Sequence, residues 1–470
     1  MIAPAPRGLE PGSWREICGE ATALLQRLLR LDTTNPPGNE IAAARALAET
    51  LAVDGLTSEI LESAPGRANH VCRIAANSTR SRAEPGAAPL LLAGHTDVVP
   101  AGDASRWAHP PFSGELADGM IWGRGAVDMK NMVAMSAMVM KLLARRGVKL
   151  RRDLIFAAVA DEEVGCTHGS RYLVEQHPDK VRAGFALGEV GGFVNVVGRA
   201  RLLLVQTAEK GLAWLRLRAR GPAGHASIPR PDSAVLHLAR AVQRIGGAPL
   251  PQHNTPVTEA FIRAAAAANA PPLRYVLPAL LNERLSAVIL GRLLADKGQA
   301  RTLHAVLHNT ATPTVLRAGD VTNVIPDSAT VEIDGRTLPG QTAQDLIREL
   351  RAVAGDEDLE VEITQEQPST INHPPDSPLW DCILATIGRR DPTLTVVPYM
   401  IPGFTDAKFF CSLGARWYGF APVWLEPGSD LRFSDLFHGL NERIPEDGFH
   451  WGLSALYEVV ESFCGEASGA

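Results

Sequence analysis

None of the six cysteines, Cys18, Cys72, Cys166, Cys382, Cys411 and Cys464, falls into a CxxC pair, so the sequence suggests neither a thiolate zinc site nor a disulfide framework. No apolar stretch approaches the roughly 20 residues needed to span a bilayer. The opening MIAPAPRGLEPGSW lacks the apolar core of a secretory signal. Excess positive charge is missing as well: 46 Lys+Arg stand against 52 Asp+Glu, a net charge of -6, which argues against binding nucleic acid. A reducing, cytoplasmic setting is the simplest expectation. What remains is a globular composition spread over 470 residues, two to three times a typical domain, so at least two structural units are expected.

The first part of the chain alternates helices with short apolar runs. Helical spacing covers Ser13 to Arg30 and Glu40 to Leu51, separated by the breaker segment Leu31-Asp32-Thr33-Thr34-Asn35-Pro36-Pro37-Gly38. Asn69 to Ala75, Pro89 to Gly94 and Asp153 to Ala160 read as strands, the last two continuous apolar runs once past Asp153, as in strands buried on both faces of a mostly parallel sheet. Between them Met132, Met135, Met138, Val139 and Leu142 recur at helical spacing over Val127 to Arg145, a stripe that suits core packing rather than a metal or haem. Strand, helix and strand point to a doubly wound α/β layer.

After Lys210 the period changes. Gly211 to Arg220 alternates apolar and charged residues, as in a strand wet on one face. Helix 233–245, strand 314–318, strand 329–336, helix 342–354 and strand 359–364 follow, a β-α-β-β-α-β order that suggests a split βαβ, ferredoxin-like unit. The expected division is a discontinuous domain of 1–209 plus 367–470 and an inserted domain of 210–366. Residues 250–312, too long for a simple connection, are expected to add a helical element.

Five places put metal-liking side chains at or just after the ends of expected strands, where ligands bind in open α/β sheets. They are His95 with Asp97, Asp128 in a glycine-rich turn, the acidic run Asp161-Glu162-Glu163, Glu189 after Phe185-Ala186-Leu187, and His438. Taken singly, each is more often a packed histidine or a solvated acidic turn. Together they match what two divalent ions about 3.5–4 Å apart require: a shared carboxylate, an imidazole and a further carboxylate for each, and a nearby base. His95, Asp128, Glu163, Glu189 and His438 supply the ligands and leave Glu162 as the base.

The residues resemble the di-zinc amidohydrolases and peptidases of the aminoacylase/carboxypeptidase type, peptidase family M20. The likeness runs through 31–38, Gly94-His95-Thr96-Asp97-Val98-Val99-Pro100, Gly123-Arg124-Gly125-Ala126-Val127-Asp128-Met129-Lys130, Asp161-Glu162-Glu163-Val164-Gly165, Gly224-His225-Ala226-Ser227, Thr322-Asn323-Val324-Ile325-Pro326 and His438-Gly439. It implies a zinc-dependent exopeptidase-like domain with an inserted lid and dimerisation domain. By the resemblance Asp128 bridges two metals, zinc with cobalt or manganese as substitutes, and follows into a cis peptide with Met129. His95, Glu163, Glu189 and His438 complete the shells, and Asp97 steadies His95. Glu162 takes the proton of the bridging water and passes it to the leaving nitrogen, and His225 stabilises the oxyanion, in related dimers from the neighbouring subunit. Asn323 and Arg336 match residues that hold a substrate carboxylate. Gly403 and Thr405 lie in a stretch resembling the family's glycine-rich substrate loop, with Pro402 and Phe404 where a second glycine often stands. Glu at 189 tilts the expectation toward acylases and carboxypeptidases, although Gly188 stands where relatives often carry an acid.

The resulting expectation is a homodimeric metallo-hydrolase that cleaves an N-acyl amino acid or short peptide and releases a C-terminal amino acid. Dipeptide hydrolysis and biosynthetic deacylation are the alternatives within the same chemistry. A non-catalytic, metal-stabilised scaffold is the alternative outside it, and it would predict a missing base or bridging ligand. The sequence lacks neither.

Overall fold

Three short apolar strands, Leu154–Val159, Leu90–His95 and Phe185–Gly188, lie side by side and parallel, with His95 opposite Val159 and Leu92 opposite Leu187. They form the middle of a nine-stranded sheet in the computed structural model, which describes residues 4–77, 88–293, 297–356, 358–369, 375–426, 431 and 433–466. Arg416–Gly419 continues the parallel set beside Phe185–Gly188. On the other side Arg67–Ile74 and Ser58–Ala64 add antiparallel strands. Every residue of Leu90–His95 and Leu154–Val159 is buried, which explains their unbroken apolar runs. Because the three central strands run the same way, the residues that follow them emerge at one edge of the sheet. That is what gathers His95, the 161–163 turn and Glu189.

The Met-rich segment becomes a helix from Lys130 to Arg145, buried from Lys130 through Leu143. It starts three residues later than the sequence spacing predicts, because Val127, Asp128 and Met129 belong to the preceding turn, where the Asp128–Met129 peptide is cis. The helix packs against Pro11–Leu29, Glu446–Cys464 and the strand Leu90–His95, and its methionines are core, as their spacing implies. Its two buried lysines are satisfied. Lys130 Nζ donates to the carbonyls of Leu28 and Leu31, and Lys141 Nζ donates to the Thr50 carbonyl and pairs with Glu20 and Asp54.

The chain divides into two compact units. One comprises Met1–Thr207, Pro375–Pro398 and Thr405–Ala470; the other comprises Ala208–Pro374 with Tyr399–Phe404. The second unit holds a four-stranded antiparallel sheet in the order Thr310–Ala318, Ser328–Thr337, Gly211–Arg220, Glu360–Gln367. With helices Ala234–Gly247 and Ala343–Ala354 it has the connectivity of the split βαβ unit. Leu215, Leu217, Val331 and Ile333 face the two helices, while the intervening Arg216, Glu332 and Glu362 pair in solvent. Thr342 and Asp345 close the second helix's start with reciprocal side-chain bonds, and Gly355 ends it at φ 60°. Most of the described residues of 256–307 lie in short helices, from Pro256–Ala267 to Lys297–Leu307, as the composition of that stretch suggests. No helix among the described residues is long and apolar enough to cross a membrane.

Candidate metal centre

Asp128 is the hub of the cluster. Its Oδ1 lies 3.0 Å from His95 Nε2, and its Oδ2 lies 3.4 Å from His438 Nε2. His438 Nε2 is also 3.1 Å from Glu163 Oε2, and His95 Nε2 is 3.6 Å from Glu189 Oε2. Two sets of three side chains bring a ligand atom each to within 4.8 Å of one another: His95, Asp128 and Glu163, and His95, Glu162 and Glu189. The structure therefore gathers all five residues read from the sequence as ligands, and it brings Glu162 as close as they come.

The electrostatics of this cluster call for positive charge. His95 Nδ1 is 3.0 Å from the Asp97 carbonyl oxygen, a partner that only accepts, so the ring carries its hydrogen there. A neutral ring then points a lone pair from Nε2 at two carboxylates. That arrangement holds only with a proton or a cation between them, and in the metal-free protein the proton is retained. Burial opposes it, but Asp128, Asp97 and Glu189 together hold His95 well above the usual imidazole range. Bonds to Asp128 and Glu163 push His438 up to about 10. Burial raises Glu162 well above the carboxylate range, reinforced by the charge of Glu189, and pushes Glu189 itself up to about 7. Asp128 is held low despite its burial, by His438 and His95. Glu189 Oε1 is buried with no hydrogen-bond partner. A cluster of crowded acids, two imidazoles presenting Nε2 and an unpartnered carboxylate oxygen has the donor chemistry of a divalent-cation site.

Around the cluster, backbone geometry aims the acids. Asp161 sits at φ 63° and Glu162 and Glu163 follow in a short turn. Both their N–H groups donate to the Asp97 carboxylate, at 3.1 and 3.2 Å. Asp97 Oδ1 is 3.5 Å from His95 Nδ1, beyond its own carbonyl, so the Asp97 side chain chiefly fixes the 162–163 turn. Asn35 Nδ2 ties Asp97 to Asp161, and Arg67 bridges Asp161 to Glu40. This gives a purpose to the 31–38 motif that spacing alone could not.

Two groups with no assigned role in the sequence reading stand out. Glu442 is fully buried and accepts from Arg124 and from the N–H groups of Gly125, Val127 and Asp128. Asp406 is buried, hydrogen-bonded to Ser170 through Oδ1 and unpartnered at Oδ2, and burial pushes it up to about 6. Glu442 lies four residues after His438, an offset that carries no signal outside a helix. Asp406 directly follows Thr405, itself buried.

The remaining sequence candidates lie in or beside the second unit. His225 is on a two-residue strand paired with Val324–Ile325, and it is exposed. Ser227 N–H donates to its Nδ1 at 3.2 Å, which leaves the ring hydrogen on Nε2, free to donate. The Asn323 carbonyl accepts from Ala226 N–H, so Asn323 and His225 share one small loop structure. Arg336 grips Asp334 through Nε and Nη2 at 2.7 and 3.1 Å and lies over the Phe404 ring. That fork is already occupied by a carboxylate of its own strand. At Gly403 an added Cβ would meet nothing within 4 Å.

Comparison with known proteins agrees with this architecture. The family model described as peptidase family M20/M25/M40 matches residues 91–462. The N-fatty-acyl-amino acid synthase/hydrolase of Xenopus tropicalis is 32% identical over 382 residues, 80% of this chain and 72% of that protein. Aminoacylase-1B of Rattus norvegicus is 26% identical, over 94% of both chains. Among solved structures, an M20 family metallo-carboxypeptidase from Sulfolobus solfataricus superposes with a TM-score of 0.64 at 17% identity, covering 94% of this chain and 99% of the other. The chain belongs to peptidase family M20/M25/M40 and is a hydrolase of amide or peptide bonds.

Proposed function

We propose that the protein is a metal-dependent hydrolase of N-acyl amino acids that releases the free amino acid. The observation that carries this reading is the two-sided presentation of Asp128, one oxygen toward His95 and the other toward His438, as a carboxylate shared between two cations requires. His95 with Glu189 would hold one ion and His438 with Glu163 the other. Bound there, a pair of divalent cations, zinc with cobalt or manganese as substitutes, supplies Lewis acidity and eases ionisation of water at neutral pH. In this reading Glu162 takes the proton of the attacking water and returns it to the leaving nitrogen. His225 donates its Nε2 hydrogen to the developing oxyanion, and Asn323 with Arg336 receives the substrate carboxylate, Arg336 sharing its fork with Asp334. Glu rather than Asp at 189, and relatives named as hydrolases of acylated amino acids, favour blocked substrates over free dipeptides.

Hydrolysis of N-acetyl-amino acids and of unblocked dipeptides by chelated and metal-restored protein tests this. Metal-restored cleavage of the blocked substrates is expected. Cleavage of dipeptides alone would replace the reading with a dipeptidase, and full activity after chelation would end it.

Metal uptake should also release protons. His95 and His438 hold theirs in the metal-free protein, and a ligand must give up its proton to bind. Apparent affinity is therefore expected to climb with pH from about 6 to 9, roughly tenfold per unit for each proton displaced. Calorimetric titration in two buffers of different ionisation enthalpy counts those protons; a pH-independent affinity would contradict the cluster's protonation.

We also infer a homodimer formed through the second unit. Its sheet ends at Thr310–Ala318, whose Val315 and Leu316 are 40% and 61% exposed, an apolar edge of the kind that pairs with another chain. Light scattering on an eluting column is expected to give a dimer for the wild type and a monomer for Leu316→Arg. A monomeric wild type would refute the interface.

A further inference from the structure

His95 and His438 present the same ring nitrogen to the same carboxylate, but they are mounted differently. His95 ends a strand flanked by parallel neighbours, its side chain has no solvent exposure, and the Asp97 carbonyl fixes its ring through Nδ1. His438 stands in a loop between Phe433–Leu436 and the strand Arg443–Pro445, its side chain 56% exposed. No described residue bonds its Nδ1, so the aim of the ring depends on the loop backbone. We propose that Asn441 is the positioning residue that keeps this loop in shape, and that it thereby sets the affinity of the ion held by His438 and Glu163 without touching either ion. The proposal rests on the reading of the cluster as a two-ion centre.

The loop takes an uncommon path. His438 and Asn441 both sit at φ 58°, in the left-handed region that glycine enters freely and that histidine and asparagine enter more readily than most other residues. Two such residues three apart make a path that persists only where neighbours hold it. Arg124 Nη2 donates to the Gly439 carbonyl at 3.0 Å, and Arg443 Nη1 donates to the Asn441 carbonyl at 2.8 Å. Position 439 has no room for a side chain, since a Cβ there would stand 2.3 Å from the Asp435 carbonyl oxygen. The Asn441 side chain adds a further fastening: its Oδ1 accepts the N–H of Ala108 at 2.6 Å, across 333 positions of sequence. Ala108 is a firm point of attachment. It follows Trp107, whose buried ring lies 5.3 Å from the Arg124 guanidinium carbon and whose Nε1 donates to the Ala101 carbonyl at 2.9 Å.

Glycine at 441 would take the same φ without strain, so backbone conformation does not by itself call for asparagine. The amide oxygen does. Without it the loop keeps only its bonds through main-chain carbonyls and samples shapes in which the His438 ring turns away from Asp128 and Glu163. Apparent affinity falls in proportion to the fraction of molecules poised to bind, so a loop correctly shaped about one-tenth of the time loses tenfold. The other ion escapes this loss, because the sheet holds His95 and Glu189 and the Glu442 carboxylate holds the Asp128 N–H.

Calorimetric titration of the chelated full-length protein with Co²⁺ tests this on Asn441→Ala, Asn441→Gly and Asn441→Asp, with the Tm of the metal-free protein as a second readout. The wild type is expected to take up two ions. Alanine and glycine should each weaken one of the two by about tenfold or more and leave the other within threefold. Glycine separates the lost acceptor from backbone strain, because it has none at this φ. Aspartate keeps an oxygen for the Ala108 N–H and tolerates the left-handed region, so both its affinities should stay within about threefold of wild type. The metal-free Tm should fall by no more than about 5 °C in any variant, as suits a single solvent-exposed hydrogen bond; a larger fall would assign Asn441 to the fold rather than to His438. Two ions weakened alike, neither weakened, or aspartate no better than alanine would each overturn the role of Asn441 while the metal centre stands. A wild type that takes up fewer than two ions would instead remove the two-ion reading, and the proposal with it.

Discussion

Glu162→Gln is expected to lower kcat by roughly 10²–10⁴-fold, the contribution of a positioned general base, with metal content and Tm close to wild type. The side chain is buried, and burial together with the charge of Glu189 raises its proton affinity well above that of an ordinary carboxylate. A carboxylate of ordinary proton affinity is a weak base toward water; one raised in this environment takes the proton and keeps it until the leaving nitrogen accepts it. Glutamine has the same shape, and the backbone N–H bonds from residues 162 and 163 to Asp97 do not involve the side chain, so the turn should persist. Metal stoichiometry is the second readout, because Glu162 lies within ligand distance of His95 and Glu189. Lost activity with both ions retained marks a base. Lost activity with a lost ion marks a ligand, and activity within tenfold of wild type would end both roles.

Much of the first unit could be read from the chain because its strands are buried on both faces. Leu90–His95 and Leu154–Val159 must be apolar at every position, and such runs ending in His95 or Asp161-Glu162-Glu163 point to the ligand edge of a parallel sheet. In the second unit the two-residue period of Gly211–Arg220 and Ser328–Thr337 sets wet face against core face just as plainly. Three features had no such signal. Segment 399–404 belongs to the second unit through contacts that no local pattern encodes. The start of the Met helix is displaced by a turn whose backbone is fixed from elsewhere. Asp334 and Arg336, two apart on one strand and so on one face, satisfy each other, a pairing that periodicity allows and a search for a carboxylate reader overlooks. What the sequence could not disclose is who holds the 124–128 turn in place, since the residue that does so is more than 300 positions away.

That residue is Glu442, and Glu442→Ala should be among the most damaging single changes in the first unit. Its carboxylate has no solvent exposure and receives Arg124 Nη1 at 2.6 Å, Val127 N–H at 2.7 Å, Gly125 N–H at 3.0 Å and Asp128 N–H at 3.1 Å. Four donors converge on two oxygens, which leaves no place for a proton even though burial raises the group's pKa. Removing the carboxylate leaves the Arg124 charge, 3% exposed, with backbone carbonyls such as that of Gly439 as partners and no counter-charge, and it strands three N–H groups. Losing one partner of a buried pair costs about 3–5 kcal/mol, equivalent to a fall in Tm of roughly 6–20 °C for a unit of this size. Because one of the orphaned donors is the N–H of Asp128 itself, metal affinity should fall along with stability, and added metal should restore only part of the lost Tm. The double variant Arg124→Met with Glu442→Met separates charge from architecture. If an uncompensated buried charge is the main cost, the double variant recovers most of the Tm while its metal affinity stays low, since nothing then directs the Asp128 backbone. An alanine variant within 1 kcal/mol of wild type, with unchanged metal affinity, would show that the turn holds itself and that Glu442 merely fills space beneath it.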